Sequence, residues 1–236
     1  MSAEDYDKIA VKAAINMWEG QAALWSLERR DPVVGWYKNH NEDPNERAIL
    51  FRKVALGEKL VALEFGCGPG RNMIKFKDDF ARIDGADISK TILAKAPLNL
   101  EDAGVPIPNL YLTNGHNFPE IKDSVYDVVF SIICMQHISC RDWRLELYRE
   151  FVRILKPSGI FTFQMGYGPG HPHSKDYFHN YQETDVRHND TRVESVAVLL
   201  TDLEEQGFID CEVTLTPPCN DHHPQWIWVS CKSGKK

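Results

Sequence analysis

Residues 61–70, Val-Ala-Leu-Glu-Phe-Gly-Cys-Gly-Pro-Gly, constrain the fold of this chain more than any other stretch. An apolar run ends in a carboxylate and then breaks into alternating glycines. Leu60–Leu63 reads as a short buried strand, the glycines as a tight turn, and Arg71–Ala81 as a helix. Glycine accepts positive φ and has no Cβ, so a ligand can lie against bare backbone there. Strand, glycine turn and helix start in that order build a nucleotide-type site at the top of a parallel sheet. On this motif alone, a tight turn without any ligand stays open as a second reading.

The spacing argues against a nicotinamide-dependent dehydrogenase. That fingerprint is G-x-G-x-x-G, whereas the glycines here stand at 66, 68 and 70, Arg71 follows and Glu64 precedes. A carboxylate repels a pyrophosphate at short range and attracts an ammonium or sulfonium group. Glu64-Phe-Gly-Cys-Gly-Pro-Gly70 resembles the first motif of the class I S-adenosylmethionine-dependent methyltransferases, [DE]-x-G-x-G-x-G. Further segments resemble the same family: Arg82–Ser89 its second strand, Asn109–Gly115 its third, Tyr126–Ser131 its fourth, and Arg153–Gly159 the helix-to-strand turn before its fifth. The resemblance runs over roughly residues 58 to 166.

What the resemblance implies is an α/β chain with a Rossmann-like sheet in the order 3-2-1-4-5-7-6. Strand 7 would be antiparallel, and helices would cover both faces. It implies S-adenosyl-L-methionine as cofactor, held by Glu64, Gly66, Gly68, Gly70, Asp87, Ile88, Asn114, Gly115 and Ser131. Asp87 would accept hydrogen bonds from the ribose hydroxyls, and Ile88 would press on the adenine face. Asn114 stands where the family commonly has Asp at the adenine amino group; an amide carbonyl can still accept there.

A chain of 236 residues with 43% hydrophobic content can build one sizeable α/β domain. We expect a helical cap over 1–57 and the cofactor-binding core over 58–232, with a lid-like insertion at 164–190. Ala3–Arg29 has an irregular helical pattern, and Asp43-Pro-Asn-Glu46 has the form of a helix start. Asp142–Leu155 is amphipathic, Ser89–Ala96 starts a helix that Pro97 should interrupt, and Thr191-Arg-Val-Glu194 has capping-box form ahead of Val196–Leu203. Cys211–Thr216 and Trp226–Cys231 read as the last two strands. The insertion carries His171, His173 and the aromatics Tyr167, Tyr177, Phe178 and Tyr181, and long irregular connections at the ligand side of a sheet are often lids. Trp18, Trp25 and Trp36 are candidates for the pocket, a subunit interface or the core.

The formal net charge of −7 and the lack of any Lys/Arg block make nucleic acid a poor partner. No apolar window suffices for a membrane span, and the acidic N-terminus is unlike a signal peptide. The six cysteines form no C-x-x-C pair and read as reduced thiols, which suits a cytoplasmic location. Oligomeric state stays open, a homodimer included.

Methyl transfer from a sulfonium is an in-line displacement, so the protein needs to align donor and acceptor and needs no nucleophile of its own. Cys67 is therefore a small filler. A hydroxyl acceptor profits from a general base, for which histidine has the suitable pKa. His137, just past the fourth strand, and His171 and His173 in the insertion are the catalytic candidates. Asp221-His222-His223 would lie near the same mouth, but the pattern lacks metal-ligand spacing and we expect no metal. The regions after the fourth strand lack the motifs of the DNA amino- and cytosine-methylating enzymes. The expected acceptor is thus a hydroxyl or amine on a small polar metabolite, a carbohydrate among the candidates. The rival readings are a non-catalytic cofactor-binding regulatory subunit and an RNA or protein methyltransferase.

Overall fold

In a computed structural model, the described residues are 3–22, 30–31, 35–36, 45–168, 178–180, 190–217 and 224–236. A seven-stranded sheet forms the frame. Its strands are β1 (Gly57–Phe65), β2 (Phe80–Asp87), β3 (Leu110–Leu112), β4 (Tyr126–Ser131), β5 (Leu155–Tyr167), β6 (Phe208–Thr216) and β7 (Gln225–Ser233). In space they run β3-β2-β1-β4-β5-β7-β6, which is the expected order, and β7 is antiparallel to both of its neighbours.

The helices are α1 (Ala3–Gln21), α2 (Glu46–Leu50), α3 (Arg71–Lys75), α4 (Lys90–Leu93), α5 (Ala96–Asp102), α6 (Arg141–Ile154) and α7 (Val196–Glu205). Side chains alternate across each strand, so the sheet buries two faces. On one face Leu63, Phe65, Val129, Phe161 and Phe163 pack with Leu147 and Phe151 of α6 and with Leu199 and Leu203 of α7. On the other face Ala62, Val128 and Phe130 meet Leu50, Phe51, Met73, Phe76 and Leu100. Phe51 sets its ring edge-on to Phe76, Phe80 and Phe130 at 5.0, 5.3 and 5.5 Å. Each such fully buried side chain contributes about 1.5–3 kcal/mol of transfer free energy.

Several element boundaries differ from the sequence reading. The first helix after the glycine turn is one short turn, Arg71–Lys75, because Phe80 already enters β2. α2 starts at Glu46, with Asn45 at the N-cap position making no capping hydrogen bond through its side chain, and Asp43 and Pro44 lie outside the described residues. Pro97 does interrupt: α4 ends at Leu93 and α5 begins at Ala96 with the proline in its first turn. Of the residues read as a turn before the fifth strand, Arg153 and Ile154 end α6 and Leu155–Gly159 already belong to β5, which starts opposite Tyr126. Thr191 caps no helix. It sits in a short strand, Asp190–Arg192, and Ser195 caps α7 by accepting the Val198 N–H at 3.4 Å.

The cysteine expectation is corrected in one place. Cys211 on β6 and Cys231 on β7 are joined as a disulfide, with a Cα–Cα distance of 4.1 Å and a sequence separation of 20. Neighbouring antiparallel strands bring the two together at a register shift between Ile209 and Glu212, a relation that linear spacing hides. Cys67, Cys134 and Cys140 are free.

Candidate functional site

β1 delivers the site by ending where its ladder ends. The N–H groups of Gly66 and Cys67 both reach the Ala86 carbonyl of β2, at 2.8 and 3.1 Å, so the chain turns sharply over the strand tops. Gly66, Gly68 and Gly70 all have positive φ, at 74°, 53° and 92°. At Gly66 a Cβ would overlap the Cys134 side chain, so the turn is closed against that cysteine and admits no larger residue.

Asp87 ends β2. Its Oδ2 accepts the Gly68 N–H and its Oδ1 the Ser89 N–H, both at 2.9 Å, which fixes the carboxylate between the glycine turn and the start of α4. Burial raises its pKa against these hydrogen bonds. Ile88 follows, and Gly115 (φ 95°) comes so close that a Cβ there would sit 3.1 Å from Ile88 Cδ1.

A cavity opens above these groups. Its floor and sides include Phe65, Gly66, Gly68, Asp87, Ile88, Gly115, Cys134, His137 and Trp143. Its roof is α1, through Ala13, Ala14, Met17 and Trp18. His137 ends the 3₁₀ turn Met135–His137, and its ring meets Trp18 edge-on with centroids 5.0 Å apart. Trp143 stacks on His116 at 5.8 Å, and His116 Nδ1 lies 2.6 Å from Glu146 Oε2.

Beneath the turn Glu64 is fully buried. Its Oε1 accepts from Asn72 Nδ2 at 2.7 Å, and its Oε2 has no hydrogen-bond partner among the described residues. Burial pushes its carboxyl up to about 8, although Asn72 and the Arg71 charge pull the other way. Burial also raises the Cys67 and Cys134 thiols, so both pack as neutral groups.

Of the residues expected from sequence, Gly66, Gly68, Asp87, Ile88, Gly115 and His137 line one cavity. Gly70 lies behind it, against Ala96 and Leu100. Ser131 is a buried strut whose hydroxyl donates to the Phe65 carbonyl at 2.9 Å. Asn114 is exposed, and its Oδ1 already accepts the His116 and Asn117 N–H groups. His171, His173, Asp221, His222 and His223 lie outside the described residues, as do Trp25, Tyr177 and Tyr181. Sequence reasoning missed Met17, Glu19 and Trp143. The signal for α1 was its apolar spacing, which does not say what a helix covers.

The residues present fit the expected cofactor. The cradle excludes side chains at Gly66, Asp87 offers acceptor oxygens at the cavity wall, and the orphaned Glu64 oxygen calls for a cationic or donating partner.

Residues 62–159 match the methyltransferase domain family. The chain is 30% identical over 108 residues to the probable methyltransferase ltbC of Aspergillus luteorubrus, covering 42% of this chain and 38% of that protein. It is 29% identical over 120 residues to phosphoethanolamine N-methyltransferase 2 of Caenorhabditis elegans, covering 50% of this chain and 26% of that one. The matches thus span well under half the length of these curated relatives. Among solved structures, Haemonchus contortus phosphoethanolamine N-methyltransferase 2, in complex with phosphomonomethylethanolamine and S-adenosylhomocysteine, superposes with a TM-score of 0.65 at 18% identity. That match covers 91% of this chain and 57% of the other. The DhpI–SAH complex superposes equally well, at 0.65 and 17% identity, over 96% of this chain and 98% of the other.

Proposed function

From a domain that makes this chain a member of the class I S-adenosylmethionine-dependent methyltransferase family, we propose that the protein methylates a hydroxyl or amine of a small polar metabolite. One observation carries the reading: the glycine turn, Asp87 and His137 share a single cavity roofed by α1. S-adenosylmethionine, when bound, supplies an electrophilic methyl group on a sulfonium. The glycine turn and Asp87 hold the donor, the carboxylate accepting from vicinal hydroxyls on the oxygen lone pairs its two backbone bonds leave over. Glu64, whose carboxyl burial holds at about 8, ionises below the turn when a cationic group lies near its unpartnered oxygen. α1 and the apolar walls keep water from the reacting groups. His137, in the same cavity, takes the proton of a hydroxyl acceptor, and His171 and His173 remain alternative bases.

Two relatives are named for phosphoethanolamine methylation, which supports a small amine as one member of the acceptor panel. The mainly apolar lining with few polar anchors suits a small molecule better than a polyanion. We retain the division into a helical cap over 1–57 and a core over 58–232 with a lid-like insertion at 164–190 as part of this proposal. Among the described residues no helix is long and apolar enough to cross a membrane.

The test uses donor with a labelled methyl group and a size-fractionated extract of the source cells. Asp87→Ala serves as the blank. It should weaken S-adenosylhomocysteine binding by about 1.5–3 kcal/mol in a calorimetric titration, as for lost bonds to an ionised acceptor. Label in a small water-soluble fraction supports the reading. Label in RNA or protein moves the acceptor class, and donor binding with no transfer favours a non-catalytic subunit.

A further inference from the structure

We propose that the last turn of α1 is a clasp joining the cofactor loop to His137, with Glu19 as the positioning residue that sets it. The proposal rests on the methyltransferase reading of the cavity. Successive helical residues point about 100° apart, so one turn can hold two separate elements at once. Here Trp18 and Glu19 do so.

Glu19 Oε1 accepts from Ser89 Oγ at 3.0 Å and from the Thr91 N–H at 3.1 Å. The same Ser89 donates its N–H to Asp87 and accepts the Ile92 N–H on its hydroxyl, at 2.9 and 3.1 Å. Glu19 is therefore one residue removed from the carboxylate assigned to the ribose. Trp18 turns the other way, edge-on to His137. Lys95 Nζ secures the helix end by donating to the Ala22 carbonyl at 2.5 Å. Between these anchors Met17, Ala14 and Ala13 roof the cavity.

Ser89 follows β2 and His137 follows β4, with β1 standing between those strands in the sheet. α1 spans that gap as a rigid body. A cofactor seated on Asp87 fixes Ser89 and Thr91, hence Glu19, hence Trp18 and the His137 ring. Coupling of this kind is reciprocal, so whatever fixes His137 also tightens binding at the Asp87 side. Glu19 touches no reacting atom; it acts through α1.

The experiment uses S-adenosylhomocysteine as probe and the full chain carrying Glu19→Ala, Glu19→Gln, Trp18→Ala or Trp18→Phe. Two quantities are read: the release rate by stopped-flow displacement, and the imidazole resonances of His137 with and without probe. Glu19→Ala and Trp18→Ala should each speed release roughly tenfold, since changes in affinity fall mostly on dissociation. Both should also abolish the probe-induced shift at His137. Glu19→Gln keeps an acceptor oxygen and Trp18→Phe keeps a ring edge, so both should retain most of the coupling. These conservative variants carry the test should an alanine variant fail to fold. Faster release in Glu19→Ala with an intact His137 shift would overturn the clasp and leave Glu19 a cofactor-side contact. Unchanged release in Trp18→Ala would overturn it as well. A wild-type chain that binds no probe removes the methyltransferase reading itself, and the clasp with it.

Discussion

Burying Glu64 beneath the glycine turn with one oxygen unpartnered is costly unless a cationic or donating group lies against it. In the folded chain its carboxyl is held at about 8, above its ordinary value of 4.5. Between those values the unfolded chain releases the proton while the folded chain keeps it, so stability falls as pH rises through the window and levels off above about 8. The loss is on the order of several kcal/mol, with Asp87 adding to it in the same direction. Glu64→Gln should flatten that slope in urea unfolding followed from about pH 5 to about pH 8. A variant with the wild-type slope would move the titration to another group. A cationic ligand reverses the sign: S-adenosylmethionine, which carries a sulfonium, should bind more tightly as pH rises, releasing a proton detectable by calorimetry in buffers of different ionisation enthalpy. At this scale the sequence was informative wherever chemistry is encoded in order, as in Glu64, the glycines and Asp87. Ser131, at the end of β4, spends its hydroxyl on the Phe65 carbonyl of β1, and Asn114 spends its amide oxygen on N–H groups of its own loop.

At the scale of elements, the turn after β1 is matched to the 3₁₀ segment after β4. Gly66 has φ 74°, and a Cβ there would run into Cys134. Gly66→Ala therefore combines backbone strain with overpacking, each costing about 1–3 kcal/mol. The expected result is a lower urea midpoint together with weaker S-adenosylhomocysteine binding; unchanged values for both would show that the two segments part easily. At the other edge of the sheet, the Cys211–Cys231 bond ties β6 to β7 across a separation of 20 residues. Reduction should lower stability by about 2–4 kcal/mol while leaving cofactor affinity unchanged, because neither cysteine lines the cavity. Loss of affinity on reduction would reveal a link between the sheet edge and the site. Neither relation was legible beforehand. Cys134 meets Gly66, and Cys211 meets Cys231, only once strand order and register are set. The strand cores themselves were readable from short apolar runs, and helix lengths were not, because Phe80 and Leu155 serve the sheet despite helical surroundings.

For the whole molecule, the sheet and the roof differ in how they are held. The central strands sit between two apolar layers, whereas among the described side chains α1 meets the rest through the cavity wall, Val11 against Cys140 and Trp143, the Glu19 and Lys95 bonds and the Trp18–His137 contact. Regions with few buried contacts open at low free energy, independently of global unfolding. α1 should therefore exchange its amide hydrogens far faster than β4 and β5 in the free protein. A ligand filling the cavity adds apolar contact under Ala13, Ala14, Met17 and Trp18. It stabilises the folded state by about 2.7 kcal/mol at a concentration a hundred times its dissociation constant. That gain should appear first in the roof and in residues 87–92. Saturating S-adenosylhomocysteine should slow exchange there, while the strand centres, which open only with the whole domain, slow by no more than the global gain. Mass-spectrometric exchange with and without the ligand measures this directly. Protection confined to residues 64–70 and 87–92, with α1 exchanging as before, would mean that the helix does not rest on the bound cofactor, and that the cavity's roof forms only when the acceptor arrives.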